Sequence, residues 1–384
     1  MRDGETPDVV IVGSGPVGLL LGAELRRHGV GARILEQRPQ PSPGSRAIGI
    51  HSPVLAALEE SDLTDGLLAR ARRVSRGEAR SGAQLLGTVR FDGMRVRFPF
   101  VATLPQSATE AVLAAAAPPV EHGWRVHGVR PDGHRMRVRA EGPDGPAEIS
   151  APLVIVAAGA AGRDLVFHRA GLDTVSYPDR YLMADAPAPD DADDAAAIVR
   201  LERDGVLESF PLPGARRFVV WDPHPDDADP QARLDRLRRA LARRGEPAAA
   251  ERVTAATGFG VRRVVAPQLR RGRLLVVGDA AHEVSPIGGQ GMNLGLLDAA
   301  TLAPLVARWM RTGTAPDPEL ERWQRRRVAS ARRAAASAGI NTRLGRPRGE
   351  VLHRARSAAL RTLLTGPAHP LLARAYAMQF DLDA

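Results

Sequence analysis

Two glycine-rich segments, far apart in the sequence, contain residues whose types and spacing could bind a nucleotide. In the first, the apolar run 9–12 leads into GSGPVG at 13–18, and a helical pattern follows. These glycine spacings allow a tight turn, a close approach of backbone to a pyrophosphate, and close packing of helix on strand. A second strand ends in Glu36, about 20 residues further on, where a carboxylate can accept hydrogen bonds from a ribose. The order predicts a βαβ unit that binds ADP, since an ordinary Rossmann layer would leave Glu36 unexplained.

The second glycine-rich segment indicates which dinucleotide is bound. The run LLVV at 274–277 has the composition of a buried strand and ends in Gly278 and Asp279, and PIGGQGMN at 286–293 opens a helix. An acid at a strand end can hydrogen-bond a polyol chain, and the N-terminus of a helix carries free N–H groups and a positive dipole end. One such helix start suffices for NAD, whereas two suit a long cofactor held at both ends. We therefore predict that the cofactor is FAD.

The predicted cofactor contacts come from these two segments and from the residues after the second strand. They are Gly13, Gly15, Pro16, Val17, Gly18, Glu36, Gln37 and Arg38 at the ADP end, and Gly278, Asp279, Pro286, Gly289, Gly291, Met292 and Asn293 at the flavin end.

The sequence GDAAHEVSPIGGQGMNLGLLDAATLAPLV, which begins at Gly278, resembles the flavin–ribityl motif of the class A flavoprotein monooxygenases. These are the para-hydroxybenzoate hydroxylase-like aromatic and polyketide hydroxylases. The segment containing Arg46, the PQSATE helix start containing Gln106, and the arginine-rich stretch 320–327 are also similar to that family. The resemblance implies that Arg46 lies beside the flavin diphosphate and Gln106 near the ribityl chain or ring. Val126 completes the set of candidate contacts.

The resemblance also implies a chemistry. The family holds FAD without a covalent link, usually takes electrons from NAD(P)H, and uses a flavin hydroperoxide to insert one atom of O2 into an aromatic or polycyclic substrate. Because the flavin carries this chemistry, no protein nucleophile is predicted. Pro286 and His282 are candidates for positions near the ring, with a mainly structural role expected for His282. Hydroxylation, epoxidation and Baeyer–Villiger insertion all stay open, as do the substrate and the oligomeric state.

One departure from the family concerns reduction by NAD(P)H. After the apolar run 153–156 the family carries an Asp-Gly motif, but this chain has Ala161 at the aligned position, or Gly159 if the gap is shifted. Asp164 lies just beyond, at a different spacing. NAD(P)H is still the expected reductant. The two alternatives are an FAD-dependent dehydrogenase or reductase of the same fold, and a flavin-binding protein without turnover.

We predict an α/β fold in which a Rossmann-like FAD-binding domain of the GR2 type is interleaved with a substrate domain built on a mixed or antiparallel sheet. The predicted segments are 1–75, 101–172 and 262–340 for the FAD-binding domain, 76–100 and 173–261 for the substrate domain, and 341–384 for C-terminal helices. Four polar residues of the predicted substrate sheet are candidates for ligand contacts, although solvated strand faces are the favoured explanation: Arg200, Glu202, Glu208 and His224.

Composition narrows the function further. The net charge is +9, but every cationic side chain other than histidine is arginine, spread over several helices without a basic tail. We attribute this to coding bias and predict no nucleic-acid binding. The absence of lysine argues against flavin-dependent halogenases, and the absence of cysteine excludes a cysteinyl flavin. Histidine spacing predicts no metal site. With no signal peptide and no apolar run of about 18 residues, we expect a cytoplasmic protein without membrane contact.

Overall fold

Strands and helices alternate near the start of the chain, strands predominate in the middle, and helices form the end. The computed structural model describes residues 7–40, 47–168, 171–188, 196–224, 229–366 and 369–381. The strands are β1 (Val9–Val12), β2 (Ala32–Glu36), β3 (Gly49–Ile50), β4 (Arg72–Val74), β5 (Arg76–Ser81), β6 (Gln84–Arg90), β7 (Val101–Thr103), β8 (Val120–His122), β9 (Arg125–Asp132), β10 (Arg135–Gly142), β11 (Gly145–Ala151), β12 (Leu153–Val156), β13 (Asp173–Pro187), β14 (Ala196–Glu202), β15 (Gly205–Leu212), β16 (Ala215–Asp222), β17 (Thr257–Val265), β18 (Arg270–Arg271), β19 (Leu274–Val276) and β20 (His282–Glu283).

The helices pack on the sheets and connect them. They are α1 (Pro16–Arg27), α2 (Ser52–Ala57), α3 (Leu63–Leu68), α4 (Gln106–Ala116), α5 (Pro230–Arg243), α6 (Pro247–Arg252), α7 (Gly291–Thr312), α8 (Asp317–Leu344), α9 (Glu350–Thr365) and α10 (His369–Tyr376), with short 3-10 turns at Glu59–Ser61, Ala160–Leu165 and Gly278–Ala280.

A six-stranded sheet contains the first glycine-rich turn. Its strand order is β18-β19-β12-β1-β2-β8, and β1 pairs in parallel with both β12 and β2. Every residue of β1 and β12 is buried, as expected for parallel strands covered on both faces, which need continuous apolar runs. Helices α1 and α7 pack against each other beside this sheet. The predicted Rossmann-like layer is confirmed.

Glycines set how closely α1 approaches the end of β1. Gly13 has a φ of +105°, and a Cβ at Gly18 would lie 2.0 Å from the carbonyl oxygen of Gly13. No L-residue with a side chain fits that distance without moving the helix. The first turn of α1 therefore sits directly on the strand end.

An eight-stranded sheet forms the second layer. Its order is β20-β17-β13-β16-β15-β14-β5-β6, with antiparallel neighbours except for the parallel pair β14 and β5. The prediction of a mixed sheet is confirmed. Leucines of α5 (Leu234, Leu237 and Leu241) cover one face of this sheet, together with α6. The C-terminal helices α9 and α10 pack against β6, where a Cβ on Gly87 would lie 2.4 Å from the Cβ of Leu364.

Candidate active site

A cavity of about 1040 Å³ is lined by residues of both large sheets. Its wall includes the turn between β1 and α1, the end of β2, the segment before α7, and the face of the eight-stranded sheet that α5 does not cover. Residues of α9 and α10 complete the lining. The two glycine-rich segments, which the sequence separates by more than half of the chain, therefore face one space.

Most of the predicted cofactor contacts line this cavity. They are Gly13, Gly15, Pro16, Val17, Glu36, Gln37, Arg38, Gln106, Val126, Gly278, Asp279, Pro286, Gly289, Gly291 and Met292. Gly18, Asn293 and His282 lie behind the lining, and Arg46 lies outside the described residues.

The Glu36 carboxylate is buried beside the first glycine turn. It accepts hydrogen bonds from the backbone N–H of Ser14 at 3.0 Å, the Ser14 hydroxyl at 2.9 Å, and the backbone N–H and guanidinium of Arg38 at 2.9 and 3.0 Å. Burial raises its pKa, but these donors outweigh burial and bring the pKa down to about 2. Glu36 is therefore a fixed anion at neutral pH, at the position that the sequence assigned to a ribose acceptor.

Open space lies in front of the start of α1. Gly15 precedes the helix with an extended backbone (φ −67°, ψ 178°), and a Cβ placed there would have no atom within 4 Å. Gly15 also lines the cavity. The helix N-terminus therefore faces a space that a pyrophosphate could fill, next to the N–H groups of its first turn.

Asn293 organises the other end of the cavity without facing it. Its side chain accepts a hydrogen bond from the backbone N–H of His51 at 2.8 Å and donates to the carbonyls of Gly49 and Gly289 at 2.8 and 3.1 Å. His51 itself lines the cavity near Gly289. Burial lowers the pKa of His51 to about 4, so its imidazole is neutral at pH 7. The sequence did not predict that His51 lies in the cavity wall, because only the fold brings β3 next to α7.

The substituted Asp-Gly region lies in the cavity wall. Gly159, Ala161 and Asp164 all line it; Gly159 precedes the 3-10 turn after β12, and the other two lie on that turn. Arg163, on the same turn, donates to the backbone carbonyl of Asp279 at 2.7 Å and forms an ion pair with Glu283 at 3.1 Å. The turn is therefore tied to the strand end that carries Asp279.

A buried charged network lies behind the flavin end of the cavity. Asp298, on α7, accepts hydrogen bonds from His282 Nε2 at 2.6 Å, the backbone N–H of Gly278 at 3.0 Å and Arg327 Nε at 2.8 Å. Arg327 also forms an ion pair with Asp381 at 2.7 Å. Burial lowers the pKa of His282, but the charge of Asp298 outweighs it and the pKa is raised. The His282 side chain is thus held within this network and does not line the cavity.

The raised pKa of His282 predicts how its contribution to stability depends on pH. Because the folded-state pKa lies above the ordinary value of 6.5, the contribution is fully present below that value and is lost as the pH rises through the folded-state pKa. We expect wild type to have a higher free energy of unfolding than His282→Gln. This difference should be larger in mildly acidic buffer than in alkaline buffer. Urea denaturation of both proteins at each pH measures this difference. A constant difference would contradict a charged His282.

Glu208 was predicted to lie on a solvated strand face, and the structure places it elsewhere. It is 5% exposed and lines the cavity, because both faces of β15 are covered. The other three candidates have partners outside the cavity lining: Arg200 pairs with Glu246, Glu202 accepts from the Gly82 N–H, and His224 pairs with Asp222.

The sequence matches a family model described as FAD binding domain over residues 6–338, and the chain belongs to this family. A relative, the 6-methylpretetramide 4-monooxygenase of Streptomyces rimosus, is 32% identical over 357 residues, which cover 89% of this chain. The matched region spans 63% of the length of that relative.

Two solved structures show the same fold. The anhydrotetracycline hydroxylase from Streptomyces rimosus superimposes with a TM-score of 0.77 at 26% identity, covering 97% of this chain and 76% of that one. The p-nitrophenol 4-monooxygenase from Pseudomonas putida DLL-E4 gives a TM-score of 0.86 at 24% identity, covering 98% and 97%. The fold is that of the flavoprotein hydroxylases.

None of the described helices is both long and apolar enough to cross a membrane. In the same part of the chain, no three His, Asp or Glu side chains are grouped so as to hold a metal ion.

Proposed function

We propose that this protein is an FAD-dependent monooxygenase that is reduced by NAD(P)H and inserts one oxygen atom from O2 into an aromatic or polycyclic small molecule. The observation that carries the proposal is the shared cavity: both glycine-rich segments and a hydrophobic sheet face line one space of about 1040 Å³. The relatives support it, because their names describe monooxygenases and hydroxylases.

The residues at the ADP end fit the ADP half of FAD. We assign the pyrophosphate to the space in front of Gly15, where backbone N–H groups and the helix dipole favour an anion. We assign the ribose to Glu36, which is ionised and lies at the cavity edge. Arg38 and Gln37 would border the adenosine.

The residues at the other end would hold the ribityl chain and the ring. Asp279 lies at the end of the strand–turn unit, and the segment from Pro286 to Met292 lines the cavity ahead of α7. FAD, when bound, supplies the oxygen chemistry. The start of α7 would orient the ring and place positive backbone dipoles beside it. The sheet face and the C-terminal helices would keep water from the reacting atoms.

The alternatives are a dehydrogenase or reductase of the same fold and a flavin-binding protein without turnover. The altered residues at Gly159 and Ala161 motivate both, since an Asp-Gly motif normally stands there in the resembling family. The named relatives favour the monooxygenase, because their names describe oxygenases or hydroxylases and their similarity to this chain covers most of its length.

Stopped-flow reduction of the FAD-loaded protein by NADPH, followed by mixing with ¹⁸O2 and candidate phenols, tests the proposal. We expect substrate-stimulated oxidation of NADPH and a product that carries one ¹⁸O atom. Bleaching of the flavin without labelled product would identify a dehydrogenase. A flavin that NADPH does not reduce, with or without a phenol, would favour the binding protein.

Replacement of Glu36 tests the ribose assignment. We expect Glu36→Ala to weaken FAD binding by about 10–100-fold, because a charge-assisted hydrogen bond is worth roughly 1.5–3 kcal/mol. Flavin fluorescence titration of the apoprotein measures the dissociation constant. Glu121→Ala is the matched control: this glutamate lies on the neighbouring strand β8, pairs with Arg33, and does not line the cavity. Equal dissociation constants for the Glu36 and Glu121 variants would refute the assignment.

A further inference from the structure

A carboxyl group stands in the hydrophobic wall of the cavity. Glu208 of β15 is aligned with Val219 of β16, which is aligned with Met183 of β13. Residues aligned across neighbouring strands point to the same face of a sheet, and all three line the cavity. Glu208 is thus surrounded on its own face by apolar side chains.

The described residues around Glu208 provide neither a hydrogen bond nor an ion pair to its side chain. Val206, Phe259, Ile287 and Leu364 belong to the buried cluster around it. Within the described parts of the chain, its side chain forms no hydrogen bond or ion pair, and burial raises its pKa to about 8. Because Glu208 lines the cavity, a ligand or solvent there can supply the hydrogen bond that the described residues do not.

Two tyrosines lie within electrostatic range of this carboxyl group. After burial, the charge of Glu208 is the next cause that raises the pKa of both Tyr181 and Tyr376. The Tyr181 hydroxyl is buried without a hydrogen-bond partner among the described residues, and the Tyr376 hydroxyl donates to Asn341 Oδ1 at 3.1 Å. Of Glu208 and Tyr181, only Glu208 lines the cavity, so its carboxyl group is the one that a ligand there can meet.

The cationic side chains that line the cavity are already paired. Among the described lining residues, the arginines are Arg38, Arg217 and Arg262, and they form ion pairs with Glu36, Asp185 and Glu283, respectively. Arg217 binds both oxygens of Asp185, at 2.6 and 2.7 Å. The cavity therefore offers a ligand an acid in apolar surroundings, and each arginine among its described lining residues is already paired with an acidic side chain.

We propose that Glu208 binds a hydroxyl group of the substrate, and that the substrate is an uncharged, largely apolar ring system with a phenolic or enolic hydroxyl. A neutral carboxyl group can donate one hydrogen bond and accept others, which matches a hydroxyl. The idea deepens the proposed monooxygenase function and rests on it. Glu208 would select and orient the ring system, while the reacting atoms belong to the flavin and the substrate.

Three related naphthalenes test the proposal: 2-naphthol, its methyl ether and 2-naphthoate. Their binding to the oxidised, FAD-loaded protein is measured by calorimetric titration at neutral pH. We expect wild type to bind 2-naphthol about threefold to tenfold more tightly than the methyl ether, since a neutral hydrogen bond is worth about 0.5–1.5 kcal/mol. The preference should persist in Glu208→Gln, which keeps a donor and an acceptor, and disappear in Glu208→Leu. The naphthoate should bind most weakly to wild type.

Glu202→Leu is the control, because Glu202 lies on the adjacent strand β14 outside the cavity lining. This variant should still bind 2-naphthol more tightly than the methyl ether. Binding of the methyl ether by Glu208→Leu shows that the cavity is intact in that variant. An unchanged preference in Glu208→Leu, naphthoate binding as tight as that of 2-naphthol, or no binding of 2-naphthol to wild type would each overturn the proposal. The titration needs neither reduction nor oxygen, and a failure of the proposed function would instead show as missing flavin absorbance or unlabelled product.

Discussion

Replacing Asp298 with alanine should lower the free energy of unfolding by about 3–5 kcal/mol, the usual cost of breaking a buried ion pair from one side. Asp298 is fully buried and accepts hydrogen bonds from His282, Gly278 and Arg327. In the variant, Arg327 would keep Asp381, but the buried N–H of Gly278 and the imidazole of His282 would lose their common acceptor. Urea denaturation of the flavin-free protein measures the effect.

Glu321→Ala is the control for that measurement. Glu321 faces solvent and meets Arg325 at 3.7 Å on the surface of α8, so its removal should leave stability almost unchanged. If Asp298→Ala lowers the free energy of unfolding no more than the control does, the buried network around Asp298 does not stabilise the fold.

Because Gly278 precedes Asp279, we also expect the Asp298 variant to lose flavin at denaturant concentrations below its unfolding midpoint.

The glycines before and within α1 should separate cofactor binding from folding. Gly18→Ala places a Cβ 2.0 Å from the Gly13 carbonyl oxygen, and we expect it to cost about 3 kcal/mol of unfolding free energy. Gly15→Ala meets no protein atom and has an allowed φ, so it should leave the apoprotein as stable or more stable by about 0.4–1 kcal/mol. Its methyl group would occupy the pyrophosphate space, and FAD binding should weaken by about 10–100-fold.

Each glycine variant is the control for the other. Thermal unfolding of the two apoproteins and fluorescence titration with FAD give the two quantities. If Gly15→Ala binds FAD as tightly as wild type, the pyrophosphate does not lie in front of α1. If Gly18→Ala is as stable as wild type, the close contact between α1 and β1 is not required by the fold.

Local patterns predicted the nucleotide-binding layer. The runs 9–12 and 153–156 are short and continuously apolar, and buried parallel strands need that composition. The acid at the end of β2 and the glycines before α1 are close in sequence, so the βαβ unit could be recognised without knowledge of the rest. The acid-ended strand and helix start of the second glycine-rich segment then predicted a cofactor held at both ends, and the resemblance to a family implied the same cofactor.

The substrate end could not be predicted in the same way. Nearly every residue of β15 is buried, on both faces of the sheet, so alternation along the strand could not show which face is solvated. This is why Glu208 was expected in solvent and lies in the cavity. The contact of Asn293 with FAD stays a prediction, and its side chain is hydrogen-bonded to backbone groups of His51, Gly49 and Gly289. Both outcomes depend on which strands and helices become neighbours, which one sequence does not contain.

The stoichiometry with which the purified chain binds FAD decides whether this protein is a flavoprotein with a non-covalent cofactor. Apoprotein is titrated with FAD, the bound complex is separated by gel filtration, and the flavin absorbance is compared with the protein concentration before and after acid precipitation. We expect one FAD per chain, released completely into the acid supernatant because the cofactor is held without a covalent bond. Protein that elutes without flavin at saturating FAD, or flavin that stays in the acid pellet, would contradict it.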